Sequence, residues 1–501
     1  MKKLFFSILI GIINILNLSA QNTEFKINEL MSAYAENGQF NGTILIKKGE
    51  NVIYKNAFGL ANREWDIPNT IDSKFLIGSI GKPFTALMTL ILVDDGLIDL
   101  DSTINTYIPE YSGPGNNKVT IHQMLNHTSG IPNHGAIPNL SKKLVRWNFT
   151  TDEYLELIRN IELKFEPGTS FEYSGIAYNL LAIICEKVTN KEFGTLLKER
   201  IFIPLDMKDT KHDKNLDIDT KRANGYEYHL LEGYINPSYI EMCHVKGSGG
   251  ILSTVEDMAK FSNECFNTQK LLSKDLYKKM FTPYIKDWQY YGYGWWITKK
   301  NINGDSLTFI SHGGSTDGYK AYLTRIVEDS IDIIMCQNNY YRTELGVKFD
   351  YFITNEIIDI LYGKEYLLPK KSLAKEMGYI IGHDGIDAAI EKYYSLKKDK
   401  KYFIDDNDFN QLGKELNYWS GKELNYWGLK NEWFKIYELG IKEYPNSFLL
   451  NYSFGKLLND NKNENGINYL RKCTELFDNN SENKEYIEEY KQAQSILNTK
   501  E

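Results

Sequence analysis

Cysteine is scarce in this chain and follows no framework. Cys185, Cys243, Cys265, Cys336 and Cys473 are scattered and odd in number. A small exported domain stapled by disulfides has paired, regularly spaced cysteines, and a zinc site has its ligands at short fixed intervals. Neither pattern occurs, so the cysteines are expected to be buried as small apolar residues. The eight histidines show no ligand spacing, and neither metal nor cofactor is expected. No lysine- or arginine-rich block offsets the formal charge of −8, which argues against nucleic acid or an anionic membrane as partner. Beyond the first residues no segment is apolar enough to span a bilayer.

The first residues, "MKKLFFSILIGIINILNLSAQN", read as a secretory signal. Lys2 and Lys3 give the charged start, Leu4 to Leu16 the apolar segment, and Ser19-Ala20 the small-residue cleavage site. The expectation is a signal peptide over 1–20 and an exported protein, periplasmic or secreted, with no membrane span after cleavage. The alternative is an uncleaved anchor. No cysteine follows the cleavage site, which argues against a bacterial lipid anchor.

From Gln21 to about Tyr362 strands and helices alternate. Strands are predicted at Thr43–Lys47, Val52–Phe58, Ser306–Ser311, Tyr319–Val327 and Ile331–Cys336, joined by tight turns. Hairpins make antiparallel neighbours, so strands from both ends of this region are expected to share one sheet. Between them Lys82–Asp95, Ile121–Asn126, Thr151–Ile161, Tyr178–Val188 and Val255–Phe266 have apolar residues three and four apart, the spacing of helices. The expected fold is mixed α/β (α+β): an antiparallel sheet flanked by helices plus a helical lobe, with a pocket between the two.

"LLPKKSLAK" (Leu367 to Lys375) reads as a linker to an all-α C-terminal region, giving expected domains at 21–365 and 366–501. In that region "EYPNS" (Glu443–Ser447) recurs as "FDNNS" (Phe477–Ser481) after 34 residues, the period of a tetratricopeptide repeat. Trp433, Ile436 and Leu439 against Ile467, Leu470 and Cys473 keep the apolar stripe, although the usual small residues inside each helix pair are mostly missing. An ordinary helical bundle is the alternative. Gly413–Trp419 is repeated as Gly421–Trp427, which reads as a local duplication extending a helix.

Chemistry centres on "FLIGSIGKPFTAL" (Phe75 to Leu87). Ser-x-x-Lys occurs five times in the chain, starting at Ser79, Ser372, Ser395, Ser453 and Ser481. The last four lie in the polar linker or helical tail and read as solvated side chains. Ser79 differs: Gly78 precedes it, Gly81 lies between the pair, and Pro83 suits the first turn of a helix. Lys82 then falls on the same face, one turn on. A serine hydroxyl needs a neighbouring base to become a nucleophile. Lys82 can serve if desolvation by Phe75, Leu76, Phe84 and Leu87 holds it partly neutral. Alternatively it stays charged and depresses the pKa of a phenol that acts as base. Tyr173, after the turn at Pro167-Gly168 and before an apolar helix, is the candidate phenol. In "FISHGGSTDGY" an apolar strand ends in His312-Gly313-Gly314-Ser315, where glycines allow a ligand or backbone to approach closely. A backbone N–H there is placed to pair with that of Ser79 as an oxyanion hole.

These three elements, in this order and at these separations, resemble the motifs of the penicillin-binding-protein and serine β-lactamase superfamily. The nearest branch is the class C β-lactamase-related hydrolases, with their esterases and D-amino-acid-specific peptidases. The segments "FNGTILIKKGENVIYKNAFGLANREWDIP", "VTIHQMLNHTSGIP", "FEPGTSFEYS", "GSGGILSTVEDMAKF" and "YGYGWW" extend the resemblance over Asn22 to Tyr362. It implies a β-lactamase/transpeptidase-like fold with Ser79 as the acylated nucleophile and Lys82 and Tyr173 sharing the proton transfers. His312 would line the strand edge and orient substrate or Tyr173, with Gly313, Gly314 and Ser315 beside the substrate. The N–H groups of Ser79 and Ser315 would form the oxyanion hole. His127, in "LNHTSG", reads as structural, tying a loop under the site.

One motif departs from the family pattern. The second is usually Tyr-x-Asn, and here it is Tyr173-Ser174-Gly175. The missing amide normally contacts both the lysine and the substrate's amide carbonyl, so its loss favours an ester or an unusual amide, and Gly175→Asn is expected to raise amide over ester turnover. The expected substrates are small-molecule carboxylic esters, then D-amino-acid amides or peptides. β-Lactamase or D-Ala-D-Ala carboxypeptidase activity is the alternative. A catalytically idle binding module, for muropeptides or a protein partner recruited by the helical tail, is the reading from another class.

Overall fold

The computed structural model describes residues 21–140, 144–284, 290–341, 344–420, 432–479, 483 and 486–499. The expected signal peptide over 1–20, the second copy of the duplicated segment (Gly421–Trp427) and Ser481 lie outside the described residues. The chain divides into two compact units, one of 1–227, 236–340 and 350–367, the other of 228–235, 341–349 and 368–501.

The first unit is built on a six-stranded sheet. Its strands are β1 (Gly42–Lys48), β2 (Asn51–Phe58), β3 (Trp296–Ile302), β4 (Asp305–Thr316), β5 (Tyr319–Ile326) and β6 (Ile331–Gln337). They lie in the order β3-β4-β5-β6-β1-β2, every neighbour antiparallel, so strands from both ends of the region do share one sheet. Side chains alternate between faces along a strand. Ile44, Ile46, Ile333 and Met335 meet Ile27, Leu30 and Met31 of a helix over 21–36, together with Ile353 and Ile357. Leu45, Ile334 and Cys336 point the other way, into the core around α1 (Gly81–Asp94), α2 (Gly175–Thr189) and α3 (Val255–Asn263). With both faces covered, β6 is buried at every position, which explains its unbroken run "IDIIMCQ". Helix α1 is likewise buried from Gly81 to Leu92, as a helix apolar all round should be.

Three departures from the sequence expectation have a clear physical reason. β4 runs past Ser311 to Thr316, because Gly313, Gly314 and Ser315 pair with Tyr322, Ala321 and Lys320 of β5 despite the poor strand propensity of glycine. Helix α2 starts at Gly175 rather than Tyr178, because Ser174 Oγ caps it by accepting from Ala177 N at 3.0 Å. β3 is an edge strand with four consecutive exposed residues, so its sequence carries little apolar alternation to reveal it. All five cysteines are free, and all but Cys243 are buried.

The second unit is mainly helical, with helices at Leu373–Asp384, Ile386–Leu396, Asp406–Ser420, Trp433–Glu443, Phe448–Asp460, Gly466–Asn479 and Ile487–Asn498. Met377, Ile381, Phe409, Leu412, Ile436, Tyr437 and Leu450 form its core. Trp433–Glu443 with Phe448–Asp460, and Gly466–Asn479 with Ile487–Asn498, are consecutive helix pairs. Among the described residues no helix is long and apolar enough to cross a membrane.

One buried ion pair ties β5 to β6. Arg325 Nη1 lies 3.0 Å from Asp332 Oδ2, with the side chains 2% and 0% exposed, and Ser262 Oγ donates to Asp332 Oδ1 at 2.7 Å. Removing one partner leaves the other charge buried alone, at a cost of about 3–5 kcal/mol. Arg325→Met is therefore expected to destabilise the protein by that amount in denaturant unfolding, and adding Asp332→Asn to recover much of it. Equal stability of Arg325→Met and wild type would refute the pairing.

Candidate active site

Ser79 sits on a 3₁₀ turn, Gly78–Ile80, that leads directly into α1. Two glycines let β4 lie against this turn. Gly78 has φ +50°, and a Cβ on it would fall 2.7 Å from Ser315 N. A Cβ on Gly314 would fall 1.9 Å from Ile77 O and 3.0 Å from Ser79 N. Only residues without a side chain permit this approach, which brings the backbone N–H groups of Ser79 and Ser315 to the same small region. β3 pairs with β4 only as far as Ser311, so the stretch from His312 to Thr316 lies beyond the end of that pairing.

Lys82 lies in the first turn of α1, one turn on from Ser79, with 2% of its surface exposed. Its Nζ is 3.0 Å from Ser79 Oγ and 3.0 Å from the carbonyl oxygen of Ser248. Burial disfavours the ammonium and pulls the amine from its usual 10.5 down to about 7. The Tyr173 ring covers the amine, its centroid 4.5 Å from Nζ, with Tyr178 at 5.8 Å. Burial raises the Tyr173 phenol above its ordinary pKa, and a hydrogen bond with Ser79 opposes the shift only in part. Ser79, Lys82 and Tyr173, 94 positions apart at the extremes of the sequence pattern, thus share one cluster.

Comparisons with known proteins give the family. The family described as Beta-lactamase matches residues 27–353. The chain belongs to the beta-lactamase family. As a member it is a serine hydrolase of the acyl-enzyme type. Penicillin-binding protein 4* of Bacillus subtilis (strain 168) is 27% identical over 393 residues, 75% of this chain and 82% of its own. A D-aminopeptidase of Brucella ovis is 25% identical over 302 residues, 59% of this chain and 56% of that relative, so the chain spans little more than half of it. Among solved structures, the octameric penicillin-binding protein homologue from Pyrococcus abyssi superposes with a TM-score of 0.58 at 27% identity, covering 72% of this chain and 79% of that one.

Within this beta-lactamase fold three histidines surround the cluster. His312 is 1% exposed, and its side chain is turned into the protein rather than laid along the strand edge. Its Nδ1 donates to the carbonyl of Gly313 at 2.6 Å, so Nε2 accepts from the Tyr291 hydroxyl at 3.1 Å. Burial, then the nearby Lys82 charge, lower its pKa to about 3, leaving a neutral ring 6.2 Å from that of Tyr173. His127, held at φ +62°, accepts from Ser174 N through Nδ1 at 3.1 Å. Its ring packs 4.5 Å from Tyr173, 4.8 Å from Tyr291 and 5.1 Å from Tyr178, so it positions the segment that carries Tyr173.

The loop after His127 continues the same support. Ser174 Oγ donates to the carbonyl of Pro132 at 2.9 Å, and Gly175 N donates to Asn133 Oδ1 at 2.9 Å. His134 follows, and its ring fills the space beside Gly175. Sequence reasoning missed His134 and Asn133, since a histidine in a polar Gly-Pro-Asn loop carries no pattern of its own. Tyr291 and Trp296 are the first and last residues of the quoted "YGYGWW", yet nothing in that pattern marks a role for either. Trp296 stacks over Tyr173 at 6.5 Å with an interplanar angle of 10°.

The close packing of β4 on the Ser79 turn generates a test. Gly314→Ala places a methyl group against Ile77 O and Ser79 N. Removing one oxyanion donor costs about 10²–10³ in rate, so a loss of that order in esterase turnover is expected for Gly314→Ala, with the far-ultraviolet circular dichroism unchanged. Wild-type turnover would show that the contact is dispensable.

Proposed function

We propose that this protein is an exported hydrolase whose acyl-enzyme forms on Ser79, acting on carboxylic esters or D-amino-acid-containing amides. The observation that carries the reading is the buried Lys82 amine, 3.0 Å from Ser79 Oγ and with its pKa lowered to about 7. With a pKa of about 7, the Lys82 amine is uncharged in about half of the molecules at neutral pH. Such an amine donates to the Ser248 carbonyl and offers its lone pair to the Ser79 proton. Tyr173, its pKa raised by burial, stays a phenol at that pH. Its role is therefore to hand a proton to the leaving group, not to act as a phenolate base, which favours the neutral-lysine alternative.

In this mechanism Ser79 Oγ attacks the acyl carbonyl as its proton passes to Lys82. The N–H groups of Ser79 and Ser315 hold the developing oxyanion, beside Gly313 and Gly314, where no side chain intrudes. The leaving group takes a proton through Tyr173 as the tetrahedral intermediate collapses. Lys82, neutral again once it has passed the serine proton on to Tyr173, takes a proton from water as the water oxygen adds to the acyl carbonyl. The bond to Ser79 Oγ then breaks, the acid leaves and Oγ takes the proton back. His312, neutral and bonded at both nitrogens, orients Tyr291 beneath Tyr173 rather than exchanging protons. The curated relatives named penicillin-binding protein and D-aminopeptidase support acyl and D-aminoacyl compounds as substrates. Export is supported by the apolar, lysine-led start of the chain. The tail, with its consecutive helix pairs, is proposed to be tetratricopeptide-like and to recruit a protein partner.

Labelling with a fluorophosphonate and with a fluorescent penicillin tests the nucleophile. A covalent adduct is expected on wild type and absent from Ser79→Ala. An adduct that survives in Ser79→Ala, or no adduct with either probe on folded wild type, would overturn the assignment.

A further inference from the structure

Glycine at position 175 leaves no hole. A Cβ built there would lie 2.2 Å from Cε1, 2.6 Å from Nδ1 and 3.0 Å from Nε2 of His134. The imidazole thus stands in the volume that a side chain two residues after Tyr173 would enter. It is held there from both directions. Asn133 Oδ1 accepts from His134 N at 2.9 Å and from Gly175 N at 2.9 Å, fixing the loop to the start of α2.

The hydrogen-bond pattern determines which ring nitrogen carries the proton. Asn179 Oδ1 accepts from Gly247 N at 3.0 Å, and its Nδ2 donates to the carbonyl of His244 at 2.7 Å, so the orientation of this amide is set by backbone groups. The same Nδ2 faces His134 Nε2 at 3.4 Å. The two hydrogens of Nδ2 go to the His244 carbonyl and to the Tyr154 hydroxyl at 3.0 Å. An amide nitrogen cannot accept, so a proton on Nε2 would face no acceptor and the proton sits on Nδ1. Nδ1 makes no hydrogen bond to any described residue. Burial, then Lys82 and His244, hold the ring neutral by lowering its pKa to about 3. A neutral imidazole with one free N–H is a hydrogen-bond donor at every working pH, and not an acid or base.

We propose that His134 is a substrate-recognition residue, its Nδ1–H donating to a carbonyl in the acyl portion of the substrate and so favouring acyl groups that carry an amide. The inference rests on the acyl-enzyme reading of Ser79. It assigns to a different loop the donor that the second motif lacks, and it selects N-acylated aminoacyl compounds over simple esters. It also corrects the expectation for Gly175→Asn: alone, that substitution drives a Cβ into the imidazole instead of adding a donor to an empty place.

The test compares kcat/KM for an N-acetyl-D-alanyl thioester, whose acyl group carries an amide carbonyl, with that for a butyryl thioester, which has none. One net hydrogen bond corresponds to a factor of about ten. In His134→Leu, which keeps the volume and removes the donor, the ratio is expected to fall about tenfold. In His134→Asn, whose amide reaches the position of Nδ1, the ratio should stay within about twofold to threefold of wild type. The double variant Gly175→Asn/His134→Gly should recover the preference that Gly175→Asn alone loses. An unchanged ratio in His134→Leu overturns the proposal, as does an equal fall in His134→Leu and His134→Asn. Fluorophosphonate labelling of Ser79 in the wild type is a separate readout, so failure of the acyl-enzyme reading is distinguished from failure of this one.

Discussion

Everything in the site depends on one amine held out of water. Lys82 ends between Ser79 Oγ and the Ser248 carbonyl, beneath the ring of Tyr173. Moving its pKa from 10.5 to about 7 disfavours the charged form by roughly 5 kcal/mol, at 1.36 kcal/mol for each pKa unit. Because the folded pKa lies below the unfolded one, the unfolded chain binds more protons between about pH 7 and 10.5. Stability therefore rises with pH across that window, and the full cost is present below it. The fold carries this cost because the surroundings leave the amine no route to water. Helix α1 is buried along nearly its whole length, and β4 closes over the turn that leads into it.

The same constraint explains the glycines. Setting Ser79 under a strand edge needs two backbones nearly in contact, and Gly78 and Gly314 make that contact possible. It explains the aromatic content of the site as well. Tyr173, Tyr178, Tyr291 and Trp296 surround the polar cluster with low-dielectric surface while contributing hydroxyl groups at chosen points. Three neutral histidines complete the wall, and no two of them do the same thing. His127 holds the Tyr173 segment, His312 holds Tyr291, and His134 stands beside Gly175.

Much of this was legible in the sequence. The strands of the central sheet announced themselves through β-branched runs and tight turns, and "GSIGKP" announced a helix start with two polar residues on one face. Strand β3 stayed hidden because an edge strand with exposed side chains lacks alternation. The extension of β4 stayed hidden because its pairing depends on β5, not on the propensity of Gly313 and Gly314. His134 was invisible for a deeper reason. The space beside a residue is a tertiary quantity, and no spacing along the chain links position 134 to position 175. A glycine in a motif position looked like a loss, whereas the space is occupied from elsewhere.

The central claim is that Lys82 is a base because it is buried, and its titration tests this most directly. With lysine labelled at Nζ with ¹⁵N, and Lys82→Met used for assignment, the Lys82 resonance can be followed against pH in the folded protein. A midpoint of about 7, separate from the other lysines, is expected if burial sets its basicity. A midpoint near the ordinary lysine value of about 10.4, with the rest, would contradict it.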